Sequence, residues 1–324
     1  SWNVVSTPHT VELMPAEGSG CRNYQGPAWY RKHFVLPAET KGQRVVLHFE
    51  AAMGKQILYL NGKRIQEHLG GYLPFTLDLT ANGVQAGDSC LLAVFTDNSD
   101  DKSYPPGKRQ YTLDFAYHGG IYRDVWMIAK SPVAITDAID SQIVGGGGVF
   151  VHFDKISEKS AQVYVNTEVQ NDDARSESVT VETTLTDADG KVIKRSSGKL
   201  SLKPGEKKSI RQQMEVKNPT LWSPDTPYLY RVQSRIKKGN KSIDGGITRV
   251  GIRLAEFRGK DGFWLNGKPF GQLVGANRHQ DFAYVGNALP NSQQWRDAKR
   301  LRDAGCTIIR VAHYPQDPAF MDAC

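Results

Sequence analysis

Scarcity narrows the reading of this chain first. Only four cysteines, Cys21, Cys90, Cys306 and Cys324, occur in 324 residues. None forms a Cys-x-x-Cys pair, and the spacings suit neither a zinc site nor a disulfide framework, so buried free thiols are expected. No apolar run approaches the length of a membrane span, which leaves no membrane partner in view. The formal charge is +7, but the basic residues are scattered. Their densest run, Lys207, Lys208 and Arg211, sits on an alternating segment and reads as a solvated strand face, so no nucleic-acid partner is expected. The glycine run 145–148 lacks the Lys-Ser/Thr that a phosphate loop needs and reads as a turn. The chain opens at Ser1 rather than methionine, which points to processing or trimming and leaves the compartment unmarked.

What is present is ordinary globular material. With 39% hydrophobic and 23% charged residues and a mean hydropathy of -0.47, there is enough apolar content for packed cores, and the length suits two or three domains. Helical periodicity is missing over most of the chain. β-rich runs at 29–35, 44–50 and 91–95, with a hairpin at 57–65 turning on Asn61-Gly62, predict a two-sheet sandwich or jelly roll over residues 1–132. Residues 133–250 read as a second β-sandwich. The segments 161–170 and 178–186 alternate cleanly, and Asp189-Gly190 marks a further hairpin. That region has no cysteine, so it must rely on apolar packing. A third domain begins near 251, with a hairpin over 263–270.

The last stretch organises the rest. Thr307-Ile308-Ile309-Arg310-Val311 reads as a short buried strand, followed by Ala312-His313-Tyr314 and closed by Pro315. A buried guanidinium needs a carboxylate or a ligand, and a structural ion pair explains Arg310 as well as a functional role does. Upstream, Asn291-Ser292-Gln293-Gln294 reads as a capped helix start. Trp295, Ala298 and Leu301 line one face, and Gly305 stops the helix. Before it, residues 272–277 read as another buried strand leading into Arg278-His279-Gln280. Strand, helix, strand implies a parallel pair with a right-handed crossover, whose C-terminal ends share one rim. Asn277, Arg278 and His279 then lie beside His313 and Tyr314. In (β/α)8 barrels that rim carries the chemistry.

These residues resemble glycoside hydrolase family 2. Arg310-Val311-Ala312-His313-Tyr314-Pro315-Gln316-Asp317-Pro318 looks like the family's first signature, and Gly275-Ala276-Asn277-Arg278-His279 is similar to its first barrel strand. Trp2 before Pro8-His9 resembles the family's opening. Gly119-Gly120-Ile121-Tyr122-Arg123-Asp124-Val125 is similar to the segment closing its sugar-binding domain. Leu221-Trp222-Ser223-Pro224-Asp225-Thr226-Pro227-Tyr228 resembles its second-domain marker.

The resemblance implies a mainly β chain: a jelly-roll sugar-binding domain (1–132), an immunoglobulin-like β-sandwich (133–250) and the first βαβ part of a truncated (β/α)8 barrel (251–324). It also implies a retaining exo-acting β-glycosidase, with β-galactosidase favoured. The alternatives are a β-glucuronidase or β-mannosidase of the same family, or a non-catalytic carbohydrate-binding module. Both catalytic glutamates of the family lie past barrel strands absent here, so no catalytic residue is expected in this chain, and the chain alone is expected to be inactive. Arg310 is implied as the support of the nucleophile, and Asp114, His279, His313 and Asn23 as substrate-binding groups. Asn277 is expected to brace the rim, Asp124 to make a structural pair with a basic group, and His118 to be a loop residue. No cofactor is implied within the chain, although the full-length enzyme has room for magnesium near its acid glutamate. A carbohydrate partner is expected, and family members often assemble as homo-oligomers. Of the two bacterial compartments weighed, the periplasm is favoured over the cytoplasm. The isolated barrel piece should expose unpaired edges, and either dock on the second domain or a neighbouring copy, or be poorly ordered.

Overall fold

The computed structural model describes residues 2–12 and 24–324. It divides into two compact units, one formed by residues 1–129 with 274–324 and the other by 130–273. The expected third domain is thus shared: its hairpin belongs to the second unit, and its strand-helix-strand part to the first.

Seven strands build the sandwich of the first unit: β1 (Pro27–Val35), β2 (Arg44–Phe49), β3 (Lys55–Leu60), β4 (Lys63–Leu69), β5 (Phe75–Asp78), β6 (Ser89–Asp97) and β7 (Val125–Lys130). They form two sheets, ordered β1-β6-β3-β4 and β5-β2-β7. Along β3 and β6 every second residue is buried, the period expected of strands with one face on a core. The inward set includes Leu47, Phe49, Leu58, Leu77, Leu79 and Val94. Phe49 and Phe75 stack within it, with ring centroids 4.7 Å apart. Asn61 and Gly62 have φ of 49° and 81°, so the Asn-Gly turn joining β3 to β4 has the left-handed pair that a tight hairpin demands.

In the second unit, β8 (Val133–Ile135), the single-turn helix α1 (Ala138–Ser141), β9 (Val149–Asp154), β10 (Ser160–Asn171), β11 (Glu177–Thr186), β12 (Val192–Leu202), β13 (Lys207–Lys217), β14 (Tyr230–Lys238) and β15 (Lys241–Val250) follow in order. One sheet centres on β10, flanked by β13 on one side and by β9 and β8 on the other; the second runs β12-β11-β14-β15. Val163, Val165, Leu185 and Val232 are fully buried between them. Three short strands, β16 (Ala255–Phe257), β17 (Phe263–Leu265) and β18 (Lys268–Pro269), then make a small antiparallel sheet. Its turn is tied to the sandwich by the Asn266 amide, which donates to the Trp222 carbonyl at 3.0 Å.

The chain closes in the first unit with β19 (Gly275–Arg278), helix α2 (Asn291–Asp303), β20 (Ile308–Val311) and helix α3 (Pro318–Ala323). β19 and β20 pair in parallel, Asn277 opposite Arg310 and Arg278 opposite Val311. Here the structure corrects several expectations. The first strand starts at Gly275 rather than at 272. Helix α2 is capped by Pro290, which has no side-chain acceptor to offer, so no side-chain cap bond forms; Asn291 is already the first helical residue, and its amide donates to Asp124 at 3.1 Å. The strands expected to be buried are largely exposed, since a two-stranded sheet has no further strands to cover its faces. The segment packs with the first domain rather than standing apart as a disordered tail. Trp295 stays half exposed, and Ala298 is the buried apolar residue of its helix. Of the cysteines described, only Cys90 is buried; Cys324 is exposed.

Gly275 shows why the parallel pair needs glycine. A Cβ there would lie 1.8 Å from the Ile308 carbonyl oxygen, so any side chain must push the strands apart. Gly275→Ala is expected to destabilise the first unit by about 2 kcal/mol or more in urea unfolding. Gly246→Ala, where a Cβ meets open space, should change the midpoint little. Equal midpoints for the two variants would refute this account of the strand contact.

Candidate functional site

Three of the residues singled out from sequence converge in the first unit. The Asp114 carboxylate lies 3.9 Å from His313 Nε2, and the His279 and His313 rings are 5.3 Å apart, edge to face. Phe115 fills the space between them. Its ring stacks on His279 at 5.4 Å and leans on His313 and Tyr314, each at 5.6 Å. The Ala312–His313 peptide is cis.

Asp114 arrives on a loop fixed from within. Tyr117 donates its hydroxyl to Asp100, and Asp100 also accepts from the Gln110 amide N–H at 2.9 Å. Gln110 Oε1 accepts from the Tyr117 N–H at 3.0 Å, while buried Asn98 donates to the carbonyls of Tyr24 and Tyr117. The Asp114 side chain itself is 83% exposed. At 3.9 Å from His313 it is beyond hydrogen-bond reach, so its lone pairs stay available to a ligand rich in hydroxyls.

A buried polar clamp holds β19 and β20 against this loop. Gln280 is fully buried. Its backbone N–H donates to the Tyr314 hydroxyl at 3.0 Å, and its Oε1 accepts from Arg123 Nη2 at 3.0 Å and from the Asp317 N–H at 3.0 Å. Arg123 also donates to the Pro315 carbonyl at 2.6 Å. Asn287 donates to the Gln280 carbonyl at 2.6 Å and accepts, through Oδ1, from both the His118 N–H and His118 Nδ1 at 2.7 Å. Tyr72 stacks on Tyr314 at 4.4 Å, nearly coplanar. Arg123 Nε and the Tyr72 hydroxyl are buried without a hydrogen-bond partner among the described residues, but the bonds that are made would be costly to break and so favour one geometry. His118 is therefore a buried clamp residue rather than a mere loop residue. Asp124 meets the amide of Asn291, not a basic group.

Arg310, expected on a buried strand, lies in the open, and Arg278 takes the buried position. Arg310 is exposed, its Nη1 3.5 Å from Asn277 Oδ1. Arg278 is the buried one, 6% exposed. It donates to Gln316, to Gln294 at 2.7 Å and to Asp297 at 2.8 Å, and its guanidinium sits 4.3 Å over the Phe320 ring. Strand alternation explains the difference. Arg278 points toward helices α2 and α3, whereas Asn277 and Arg310, matched in register, share the opposite, open face. Arg123, Arg278 and Gln280 stand in the stretches named above without being expected to form the site, and Phe115 directly follows Asp114 in the chain. Their signal, a polar or aromatic residue beside each picked one, is visible only once the segments meet. Asn23 lies outside the described residues.

Burial lowers the pKa of His279 below its ordinary 6.5, opposed by Asp281 and aided by the His313 ring. The neutral imidazole keeps one donor and one acceptor, and its Nδ1 is buried with no partner among the described residues. Among those residues no group of three or more His, Cys, Asp or Glu side chains is placed to hold a metal ion.

A cavity of about 790 Å³ opens beside Asp114, Phe115 and His313. Its further wall comes from the 69–73 and 105–113 segments.

Comparison with known proteins assigns the architecture. Three sequence profiles match in order: Glycosyl hydrolases family 2, sugar binding domain, over residues 5–132; Glycosyl hydrolases family 2 over 147–253; and Glycosyl hydrolases family 2, TIM barrel domain, over 257–324. The chain belongs to glycosyl hydrolase family 2. It is 34% identical to a β-galactosidase of Thermoanaerobacter pseudethanolicus and 32% identical to a β-glucuronidase of Formosa agariphila. Those alignments take in 100% and 99% of this chain but only 41% and 34% of the relatives. The structure of Bacteroides uniformis β-glucuronidase 2, covalently bound to cyclophellitol-6-carboxylate aziridine, superposes with a TM-score of 0.89 at 31% identity, over 100% of this chain and 37% of that one. The chain thus spans well under half the length of these relatives.

Two measurements test the site's construction. Arg278→Ala strands Gln294, Gln316 and Asp297 without their partner and is expected to cost about 3 kcal/mol or more in urea unfolding. Arg310→Ala, on the exposed face, should cost less than about 0.5 kcal/mol. Similar losses for the two would contradict the assignment of the buried cation.

The pH dependence has a definite sign. His9, His68, His118 and His279 are all lowered from 6.5 by burial. As pH falls below 6.5 the unfolded chain therefore binds protons first, and stability drops. The raised carboxyls of Glu50 and Asp317 act in the opposite sense, but nearer their own range around 4. Urea midpoints are expected to fall steadily from pH 7 to about pH 5. A flat or rising profile would mean that these imidazoles are not held neutral.

Proposed function

We propose that the chain is the N-terminal part of a longer retaining, exo-acting β-glycosidase, with a terminal β-galactoside as substrate. The observation that carries the reading is the convergence of Asp114, His279 and His313 around Phe115, in a chain of glycosidase family and order. Asp114, largely free, accepts hydrogen bonds from neighbouring sugar hydroxyls. His313 and neutral His279 hydrogen-bond to further hydroxyls, in contacts that strengthen as the sugar flattens toward an oxocarbenium ion. Arg310 faces the open side of the parallel pair, where a completed barrel would have its interior. There it holds the nucleophilic carboxylate ionised by a charge-assisted hydrogen bond. The attacking and proton-donating carboxyls come from outside this chain, roughly 5 Å apart as retention requires. β-Glucuronidase is the second reading, favoured by the names of several relatives.

Assays of the longer gene product on a panel of nitrophenyl β-glycosides test this directly. The β-galactoside should be cleaved fastest, with retention, while the 324-residue chain alone hydrolyses none. In the longer protein Asp114→Ala should lower kcat/KM about ten- to a hundredfold, and Arg310→Ala should lower turnover by roughly a hundredfold or more with the fold intact. Preferential cleavage of the glucuronide would transfer the assignment to the second reading. Near-normal rates for Arg310→Ala would remove it from the site.

A further inference from the structure

The cavity beside Asp114 and His313 is larger than one sugar needs. About 790 Å³ falls within the roughly 300–1,000 Å³ of pockets that hold a whole drug-sized molecule. Its far wall is also the wrong chemistry for more sugar. Leu69, Leu73, Pro105, Pro106 and Leu113 line it, and a hydroxyl pressed against them would lose water without gaining a partner. Leu69 and Leu73 are 47% and 60% exposed, although they flank a Gly-Gly turn at a strand end where polar residues would fold as well. Among the described residues Lys108 is the one lysine or arginine on the lining. The one carboxylate among them, Asp114, is the group assigned above to sugar hydroxyls.

We propose that this cavity receives an apolar, acid-bearing substituent carried by the bound sugar: the apolar wall takes its body, and the Lys108 ammonium its carboxylate. The inference rests on the reading of Asp114 and His313 as sugar-binding groups and adds the class of substrate, a β-glycoside with a carboxylated aromatic or similarly apolar group. Two sources share that chemistry, an aglycone on the anomeric carbon and an acyl group esterified to a ring hydroxyl. The cavity is continuous with the sugar-binding groups, so a single molecule spans both. Its rigid aromatic part loses little conformational freedom on binding.

The test uses the longer gene product with its two catalytic carboxylates replaced by amides, so that no ligand is hydrolysed, titrated by ligand-observed NMR. The ligands are methyl β-galactoside, phenyl β-galactoside, 4-carboxyphenyl β-galactoside and methyl 6-O-(4-carboxybenzoyl)-β-galactoside. At least one of the two carboxylated compounds should bind about tenfold or more tighter than methyl β-galactoside, and which of them does so identifies the aglycone or the acyl source. Leu73→Asp should abolish that advantage, and Lys108→Ala should bring the carboxylated aglycone down to the level of the phenyl compound. If every substituted sugar binds within about twofold of methyl β-galactoside, the substituent pocket is overturned while the sugar reading stands. If methyl β-galactoside fails to bind but 4-hydroxybenzoate binds in a Lys108-dependent way, the pocket stands and the sugar reading falls. Absence of binding by all of these ligands would overturn both.

Discussion

A single buried amide, that of Gln280, holds the candidate site in register. Its carbonyl oxygen receives Arg123 from the sandwich and the Asp317 N–H from the start of α3, while its backbone N–H reaches the Tyr314 hydroxyl. It therefore touches all three segments that supply the site: the connection between β6 and β7, the end of β19 and the turn after β20. His279 is its neighbour in sequence, and His313 is the neighbour of Tyr314. The backbone beside each imidazole is thus tied into a buried network, where a lost partner is costly, and Phe115 packs against both rings. A neutral amide suits this position because it accepts from a cation and from a backbone N–H while donating through its own nitrogen to the Asn287 carbonyl. A carboxylate there would gain on Arg123 and lose the donor.

The same network explains why a short parallel pair, exposed on both strands, has a defined position. Two strands of four residues have little apolar surface to bury, and β20 leaves Ile308 and Val311 partly in water. Dispersion and hydrophobic burial from the pair alone would be small. What fixes it is the aromatic stacking of Tyr72 on Tyr314, the packing of Phe115 against both histidines, and the guanidinium of Arg278 drawn into α2 and α3. Arg278 and its partners lie on the α2 and α3 side of the pair, and Arg310 and Asn277 stand on the other. A strand can place one arginine in a buried ion pair and leave the neighbouring position's partner free for function because successive side chains point opposite ways.

That alternation marks the limit of what the sequence disclosed. The two sandwiches were legible because their strands alternate and their turns carry Asn-Gly and Asp-Gly. The convergence of His279 with His313 was legible too, because strand, helix, strand admits essentially one handed connection. The difference between Arg278 and Arg310 was not. Both sit on short strands, and assigning either to a face requires knowing which side the helices cover. Arg310 drew attention as a charge amid Thr307, Ile308, Ile309 and Val311, yet in the fold its strand is open and Arg278 carries the burial. Helix α2 misled for a related reason. Asn291 has the right chemistry for a cap, but the helix begins one residue earlier than that reading needs, with Pro290 at the cap position, and the Asn291 amide donates to Asp124 from a segment far away in sequence. Local preference yields when tertiary contact offers the same group a partner.

The division of labour between segments also bears on specificity. Asp114 lies on a loop of the jelly roll, anchored by Asp100, Gln110 and Tyr117, whereas His279 and His313 lie at the ends of β19 and β20. A site assembled this way can change one wall without disturbing the other. Substitutions at Leu69, Leu73 or Lys108 alter the cavity's far side but touch none of the clamp residues. Those positions form a surface loop and a strand end, where sequence change is cheap. The rim of β19 and β20 is bound by buried hydrogen bonds and has no such freedom. The strand ends and the far side of the cavity are thus separated by physical construction: buried polar contacts hold the first, and exposed apolar side chains line the second.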